Sequence, residues 1–474
     1  MKFHRPEWIR LLRLRSGHGF SGLVGLEKSR AVYAVAIGLV AFLVRLGIIL
    51  TVPNGFPFDM WGWVETTRHI VLNGFANAYS AHLQGNLYPP GFFYPLWATG
   101  EIYRACCSPQ FDPDTPALDF LMRVGPIVAD ALIAILVYRL ALLWNDSRRA
   151  MVSGIAYAFN PAALTTTAWM SMIGDPYYLL PALLSLLAAL TNHFAAASAL
   201  IALAILIKPQ ALAFAPLIGF LIVTRAKPKQ IAQAGATGIG ATILVLLPFI
   251  LGGTLAQASE IFLRMRLAFP FLHVWANNAW FLISGGRAPW DPIAPANFDP
   301  LMSDTNLFLG VIAYREIGFI AFGLLCLLTF YWLAGRAQPK SALAAGAIAA
   351  LGFFIVSTRM HVNYSFPAFA FLSIMCVAND WRYALALVLA TIAALFNWQL
   401  FDEWFPNQTA LTIARLINSG IFVAAFAILI AAVRDTITRE PRAIKLRVSW
   451  RAISALALFA LIAASLVWFI WIRE

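Results

Sequence analysis

The side chains best equipped for chemistry in this 474-residue chain are Asp59, Asp175, Lys208, His273, Arg359, His361 and Asp402. They are far apart in sequence, yet each stands just beyond, or at a break in, a long apolar segment. Asp59 opens the polar, aromatic, proline-bearing stretch Asn54–Trp97, which holds Trp61, Trp63 and Tyr88-Pro89-Pro90-Gly91. A positioned carboxylate takes a proton, whereas lysine, arginine and histidine hold an anion such as a phosphate. A second stretch, FPFLHVWANNAWFLISGG over 269–286, sets His273, Asn277 and Asn278 among Trp275 and Trp280. Tryptophan, tyrosine, asparagine and histidine suit sugar faces and hydroxyls.

Each of these residues also has a plainer reading. Asp59 caps a short helix through Met60. Asp175, followed by Pro176, makes a good helix N-cap with proline at the first helical position. Lys208 snorkels to an interface as an anchor, and the 269–286 mixture is an aromatic belt. The reading that separates these options is positional, and it depends on the elements that carry the residues.

Those elements are apolar. With 61% hydrophobic and 12% charged residues and a mean hydropathy of +0.75, the chain reads as an all-α polytopic membrane protein. A spanning helix needs about 20 apolar residues. Hydropathy gives about 13 spans: 31–52, 119–143, 150–168, 176–192, 195–207, 209–224, 230–251, 316–334, 341–357, 362–378, 383–398, 410–433 and 452–472. The fifth and sixth are short and broken at Lys208-Pro209, as in a re-entrant pair. The net charge of +12 is an orientation signal: with the N-terminus in the cytoplasm, inner segments hold 21 of the 34 Lys and Arg, and the outer ones nine. The positive-inside rule then gives an N-in, C-out topology. No nucleic-acid partner is implied; membrane lipid is.

One integral membrane domain (31–474) follows a basic segment (1–30) whose residues 2–15 read either as an amphipathic helix on the inner leaflet or as a solvated tail. No cleavable signal peptide is evident. Outer loops fall at 53–118 and 252–315. The first is long enough for interfacial helices over Trp61–Phe75 and Phe92–Tyr103, with the two prolines of Tyr88-Pro89-Pro90-Gly91 forcing a turn between them. Arg123 and Asp130 lie seven residues apart on one face of the second span, and an internal polar pairing is expected for Asp130. The cysteines show no metal spacing. The adjacent pair Cys106-Cys107 is poorly placed for a mutual bridge, so no disulfide framework is expected. There is no internal repeat.

Asp59, Asp175, Lys208, His273, Arg359, His361 and Asp402 thus all fall on the non-cytoplasmic side at membrane-edge depth. Their order gives the chain its resemblance. Five groups stand in sequence: Asp59 … Ala78-Tyr79 … Tyr88-Pro89-Pro90-Gly91; Arg123-Val124-Gly125-Pro126-Ile127 … Asp130; Phe159-Asn160-Pro161 … Trp169; Lys208-Pro209-Gln210; and Thr358-Arg359-Met360-His361 … Tyr364. In these, and over most of the chain up to about residue 380, the sequence resembles GT-C superfamily glycosyltransferases that use polyprenyl-phosphate sugars. These include the GPI mannosyltransferase, the N-glycan-pathway glucosyltransferases and bacterial mannosyltransferases.

The resemblance implies a GT-C-like fold and an inverting transfer of a hexose, mannose favoured, from a polyprenyl-monophosphate donor to a glycolipid or other glycan acceptor. It implies Asp59 as the catalytic base and Arg359, His361 and Lys208 as contacts to the donor phosphate. Asp175, Tyr88, Gln210, His273 and Asn277 would position substrate. The first outer loop has no Asp-x-Asp, so no required metal or other cofactor is inferred. Two departures stand out: six residues separate Trp169 from Asp175, where relatives carry Trp-Gly-Gln-x-Asp, and His361-Val362-Asn363-Tyr364 stands where they read His-Glu-Arg-Tyr. A bacterial inner membrane is the expected location. A lipid or solute transporter or flippase would place its charges at the bilayer midplane. An O-antigen ligase or polymerase-like enzyme would put its polar residues in one late loop.

Overall fold

Proline and polar caps decide where the helices of this chain begin. Pro57, Pro116, Pro228 and Pro339 each stand at a helix start, where the missing N–H costs nothing. The side chains of Thr115, Asp146, Asn160, Asp380 and Asn407 accept from the first free backbone N–H groups. The computed structural model describes residues 20–81, 83, 87–289, 298–398 and 401–441. The basic segment 2–15 and the last expected span, 452–472, lie outside them.

The helices are α1 (Phe20–Thr51), α2 (Pro57–Asn73), α3 (Phe93–Cys106), α4 (Pro116–Ala141), α5 (Ser147–Ala158), α6 (Gly174–Leu190), α7 (Phe194–Ile207), α8 (Ala215–Arg225), α9 (Pro228–Leu251), α10 (Leu255–Leu267), α11 (Tyr314–Leu333), α12 (Pro339–Val356), α13 (Phe366–Met375), α14 (Trp381–Asn397) and α15 (Gln408–Thr438). Six are long and apolar enough to cross a membrane: α4, α9, α11, α12, α15 and residues Ser29–Thr51 of α1. Helix underlies each of the first twelve expected spans; α6, α7, α8, α13 and α14 are shorter apolar helices, and α5 is short and more polar. The third expected span is interrupted at Asn160-Pro161 and relaxes into a π-turn over Thr165–Trp169. The chain is an integral membrane protein of the all-helical kind.

At its centre, α12 and α13 are almost wholly buried. Small residues make that possible: a Cβ on Gly346 would lie 2.2 Å from the Phe371 ring, so the two helices meet at glycine. Asp130 of α4 is also buried. Arg45 of α1 and Tyr157 of α5 donate to its carboxylate, and the Thr167 hydroxyl does so at 2.7 Å. Arg45 further donates to the carbonyls of Ala41 and Ala158, at 3.1 and 3.0 Å. The polar pairing expected for Asp130 is therefore present, with Arg45 as the cation. Arg123 serves elsewhere, donating to the carbonyls of Ile49 (3.2 Å) and Ala168 (3.0 Å) and to the Ser171 hydroxyl (3.2 Å). It satisfies backbone groups where α1 ends and the π-turn breaks the i→i+4 ladder.

The segment expected as the first outer loop holds the two expected helices, α2 and α3, joined through a 3-10 turn over Pro90–Phe92. The second contains α10 and a two-stranded hairpin, β1 (Leu307–Phe308) with β2 (Ile312–Ala313). Between them the chain pairs with the segment before α13: Val274 N–H donates to the Met360 carbonyl at 2.8 Å, and Arg359 N–H to the Phe271 carbonyl at 3.1 Å. This pairing brings a remote loop onto the Arg359–His361 mouth.

Candidate active site

The site grows from the end of α7. Pro209 cannot continue a helix and biases the residue before it to extended backbone. Lys208 accordingly takes φ −152° and ψ 125°. The Tyr-Pro-Pro-Gly turn packs directly on this break, and a Cβ on Gly91 would fall 2.7 Å from the Leu206 carbonyl oxygen. Only glycine allows that approach. The turn thereby sets Tyr88 beside the lysine.

Lys208 is 2% exposed and Asp175, in the first turn of α6, 1%. The Lys208 ammonium donates to Asp175 Oδ1 at 2.8 Å, and Asn363 Nδ2 donates to Asp175 Oδ2. Three tyrosine rings surround the ammonium, with centroids at 4.9 Å (Tyr364), 5.7 Å (Tyr178) and 6.0 Å (Tyr88). Two plain readings are thereby corrected. Lys208 does not snorkel to solvent, and Asp175 does not cap α6: the N-cap is Ile173, and the carboxylate is engaged by Lys208 and Asn363. A buried pair of this kind is stable only when its remaining lone pairs and protons are met. Asn363 meets the second Asp175 oxygen, and the rings face the ammonium without taking up its other hydrogens as hydrogen bonds.

Tyr88 connects this pair to Asp59. Its ring stacks on Phe92 at 4.3 Å and meets Trp63 edge-on at 4.9 Å, and its carbonyl accepts the Tyr79 hydroxyl at 2.7 Å. Burial, with Tyr364, Asp175 and Asp59 nearby, raises the Tyr88 hydroxyl well above the usual phenol pKa. Asp59 is half-buried in the first turn of α2, where the helix dipole favours a carboxylate. Here too the capping reading is corrected, since the N-cap is Phe56 and makes no side-chain cap bond. The start of α2 is tied to the Asp175 side through Gly55 N–H, which donates to the Trp169 carbonyl at 3.0 Å.

The mouth segment Ser357–Tyr364 supplies the far wall. The His361 ring lies 5.0 Å from Tyr364 and 4.9 Å from Phe269. Burial, reinforced by the Lys208 charge, holds its imidazole down at about 3, so it is neutral near pH 7. Gln210 reaches the Tyr364 hydroxyl. Arg359 adopts φ +61°, the left-handed region. Its Nε and Nη2 donate to Asp304 Oδ2 and Oδ1 at 2.6 and 2.9 Å, and Thr358 Oγ1 adds a third bond to Asp304 at 3.2 Å. Asp304 is fully buried, and a bidentate pair of this geometry fixes the guanidinium plane.

Asp59, Tyr88, Asp175, Lys208, Gln210 and His361 thus come together, and Arg359 joins them through the same short segment. His273 and Asn277 stand apart from the Lys208 cluster, inside the second outer loop. His273 is fully buried against the Phe281 ring and is pushed down to about 3 by burial. Asn277 N–H donates to Asn397 Oδ1 at 2.8 Å, while Asn397 Nδ2 donates to the Val362 carbonyl at 3.1 Å. These two reach the mouth through the backbone. Asp402 binds Arg415, whose guanidinium lies 5.6 Å from the Trp275 ring. Sequence reasoning missed Asp304, Asn363 and Tyr178. Asp304 carries no local signal, whereas Asn363 and Tyr178 adjoin residues already singled out. Among the described residues no group of three or more His, Cys, Asp or Glu is placed to hold a metal ion.

The fold and site define a helical membrane protein with one polar, aromatic-walled mouth. No known family profile and no curated protein matches the chain. Among solved structures, its backbone is similar to the oligosaccharyltransferase of Archaeoglobus fulgidus in the apo form, with 14% identity, a TM-score of 0.42, and coverage of 86% of this chain and 56% of that one. It is similar as well to the archaeal oligosaccharyltransferase AglB from the same organism, in complex with an inhibitory peptide and a dolichol-phosphate, at 14% identity, a TM-score of 0.41 and coverage of 87% and 56%. The chain spans a little over half the length of these proteins.

Proposed function

We propose that this protein is an inverting membrane glycosyltransferase of the GT-C type. It moves a hexose, mannose favoured, from a polyprenyl-monophosphate donor to a lipid-linked or other extracytoplasmic acceptor, in a bacterial inner membrane. One observation carries the reading: a half-buried carboxylate, a buried lysine, a histidine and three tyrosine rings come together from segments spread over about 300 residues of chain. The order of the sequence motifs supports it independently.

In this reading Asp59 takes the proton of an acceptor hydroxyl as that oxygen attacks the anomeric carbon. The bond from that carbon to the phosphate oxygen breaks on the opposite face, which inverts the centre. Charge then gathers on the leaving polyprenyl phosphate. Lys208 meets it with ammonium hydrogens beyond the one given to Asp175, His361 with its single N–H, and Arg359 from its clamp on Asp304. Asp175 holds Lys208, and Tyr88 and Gln210 line the approach. His273 and Asn277 act by holding the loop that backs the mouth.

The test compares glycolipids of cells lacking the protein with those of cells complemented by wild type or Asp59→Asn, at matched expression. A species one sugar short in both the null and the Asp59→Asn strain is expected. A full profile restored by Asp59→Asn removes Asp59 as base. Unchanged glycans in the null with a mislocalised lipid overturn the transferase reading in favour of a flippase.

A further inference from the structure

Helix α3 ends in two adjacent cysteines, Cys106 and Cys107, both exposed. Neighbouring Cα atoms lie about 3.8 Å apart across a trans peptide, less than the roughly 4.4–6.8 Å that most disulfides span. That is why the sequence predicts no bridge between them. Both are free thiols in the structure, and the way α3 terminates brings them together.

Cys106 is the last helical residue, and Cys107 leaves the helix at φ −128° and ψ −48°. The N–H groups of Cys107 and Ser108 both donate to the Tyr103 carbonyl, at 2.9 and 3.1 Å. Tyr103 is itself buried; its hydroxyl donates to the Asp112 carbonyl at 2.7 Å and lies 2.7 Å from Thr115 Oγ1. The turn is therefore pinned by Tyr103 twice, through its backbone carbonyl and through its hydroxyl, and it brings the two sulfurs within 2.9 Å of each other. The remaining cysteines, Cys326 in α11 and Cys376 just after α13, are only partly exposed and lie on other elements. In the topology read from the charges, this loop faces the non-cytoplasmic side, where disulfides persist.

We propose that Cys106-Cys107 is a modification site: a vicinal dithiol that closes to a disulfide by exchange with a protein or small-molecule disulfide. One cysteine, as thiolate, attacks a sulfur of R–S–S–R and releases the first R–S⁻, leaving a mixed disulfide. The neighbouring cysteine, as thiolate, then attacks the chain's sulfur and expels the second R–S⁻. The two cysteine protons end on the two released thiols. The chain loses two electrons and two protons, and the disulfide gains them. The second nucleophile is already in contact with the first, so ring closure competes with release and further addition.

The full-length protein in detergent is incubated with oxidised glutathione, quenched with iodoacetamide and digested with trypsin. The peptide 105–123, between Arg104 and Arg123, carries both of these cysteines and no other. It is expected unalkylated and two hydrogens lighter than the dithiol, and doubly alkylated once a reductant precedes the quench. A doubly alkylated peptide after oxidation overturns the proposal, as does a persistent glutathione adduct or a cross-linked dimer. In Cys106→Ser the same treatment is expected to leave Cys107 carrying glutathione. An unmodified Cys107 there means that the thiol is not reachable, and the proposal fails on that result as well.

Discussion

Removing the charge of Asp175 isolates Lys208 in a buried, tyrosine-walled space, and the consequence can be sized. At 2.8 Å and an effective dielectric of about 20, two unit charges attract by about 6 kcal/mol. Desolvation of both ions offsets much of this, so the pair adds little net stability relative to an apolar replacement. Breaking it from one side is different, because the surviving charge keeps its desolvation cost and loses its partner, at about 3–5 kcal/mol. Asp175→Asn and Lys208→Met should each destabilise by that order. The cation–π contacts, about 0.5–2 kcal/mol in such settings, keep Asp175→Asn towards the lower end. The double variant should cost far less than the sum, with a coupling of about 3 kcal/mol. The assay is reversible unfolding in mixed micelles across the four-member cycle. Single variants within about 1 kcal/mol of wild type, or strictly additive effects, refute the idea of a buried, mutually dependent pair.

Three further outcomes follow from the same geometry. Asp304→Asn leaves Arg359 without its anion at a left-handed backbone position; a loss of about 3 kcal/mol or more is expected in the same unfolding assay, with proteolysis of the 269–304 loop accelerated. Gly91→Ala places a Cβ 2.7 Å from the Leu206 carbonyl oxygen and should cost about 1–3 kcal/mol, seen as a lowered unfolding midpoint, whereas Gly235→Ala, inside α9 and meeting open space, should raise the midpoint slightly, by about 0.5–1 kcal/mol of helix propensity. His273 and His361, held near 3, stay neutral in the fold while the unfolded chain protonates near 6.5. The unfolded state therefore binds more protons between those values, and stability falls on acidification below about pH 6.5 by roughly 1.4 kcal/mol per unit for each histidine. Unfolding midpoints between pH 7.5 and pH 5 measure this, and His273→Gln should flatten the dependence.

Hydropathy made the helical segments legible because lipid admits few other structures. The turn at Tyr88-Pro89-Pro90-Gly91 and the break at Lys208-Pro209 were legible because proline and glycine restrict the backbone wherever they stand. What the sequence did not disclose was pairing between distant residues. Asp130 shares a helix face with Arg123, yet Arg45, 85 positions away, is its cation, since helix rotation in the bundle rather than spacing along one helix decides the contact. Arg359 was readable as a cation at the mouth, but Asp304, its buried partner, sits in an irregular loop with no periodicity to read. Six helices are long and apolar enough to cross a membrane and five more apolar ones are shorter, because proline and polar breaks cut the apolar segments where hydropathy alone runs on. Cys106 and Cys107 are free thiols, in line with the absence of a bridge read from their spacing; what that spacing does not disclose is the helix terminus that brings their sulfurs to 2.9 Å.

The Arg45–Asp130 contact also bears on how the protein is made. A helix carrying an arginine among its apolar residues is disfavoured in lipid by about 2.5–3.5 kcal/mol when inserted alone. Synthesis delivers α1 before α4, so the carboxylate that pairs with Arg45 arrives only after α2 and α3 have been made. Until then α1 has to be sheltered by the insertion machinery or tolerated at the bilayer edge. Arrival of α4 converts a poorly inserting helix into a fixed one, and Tyr157 and Thr167, still later in the chain, complete the shell. The cation of this buried pair therefore precedes its anion in the order of translation.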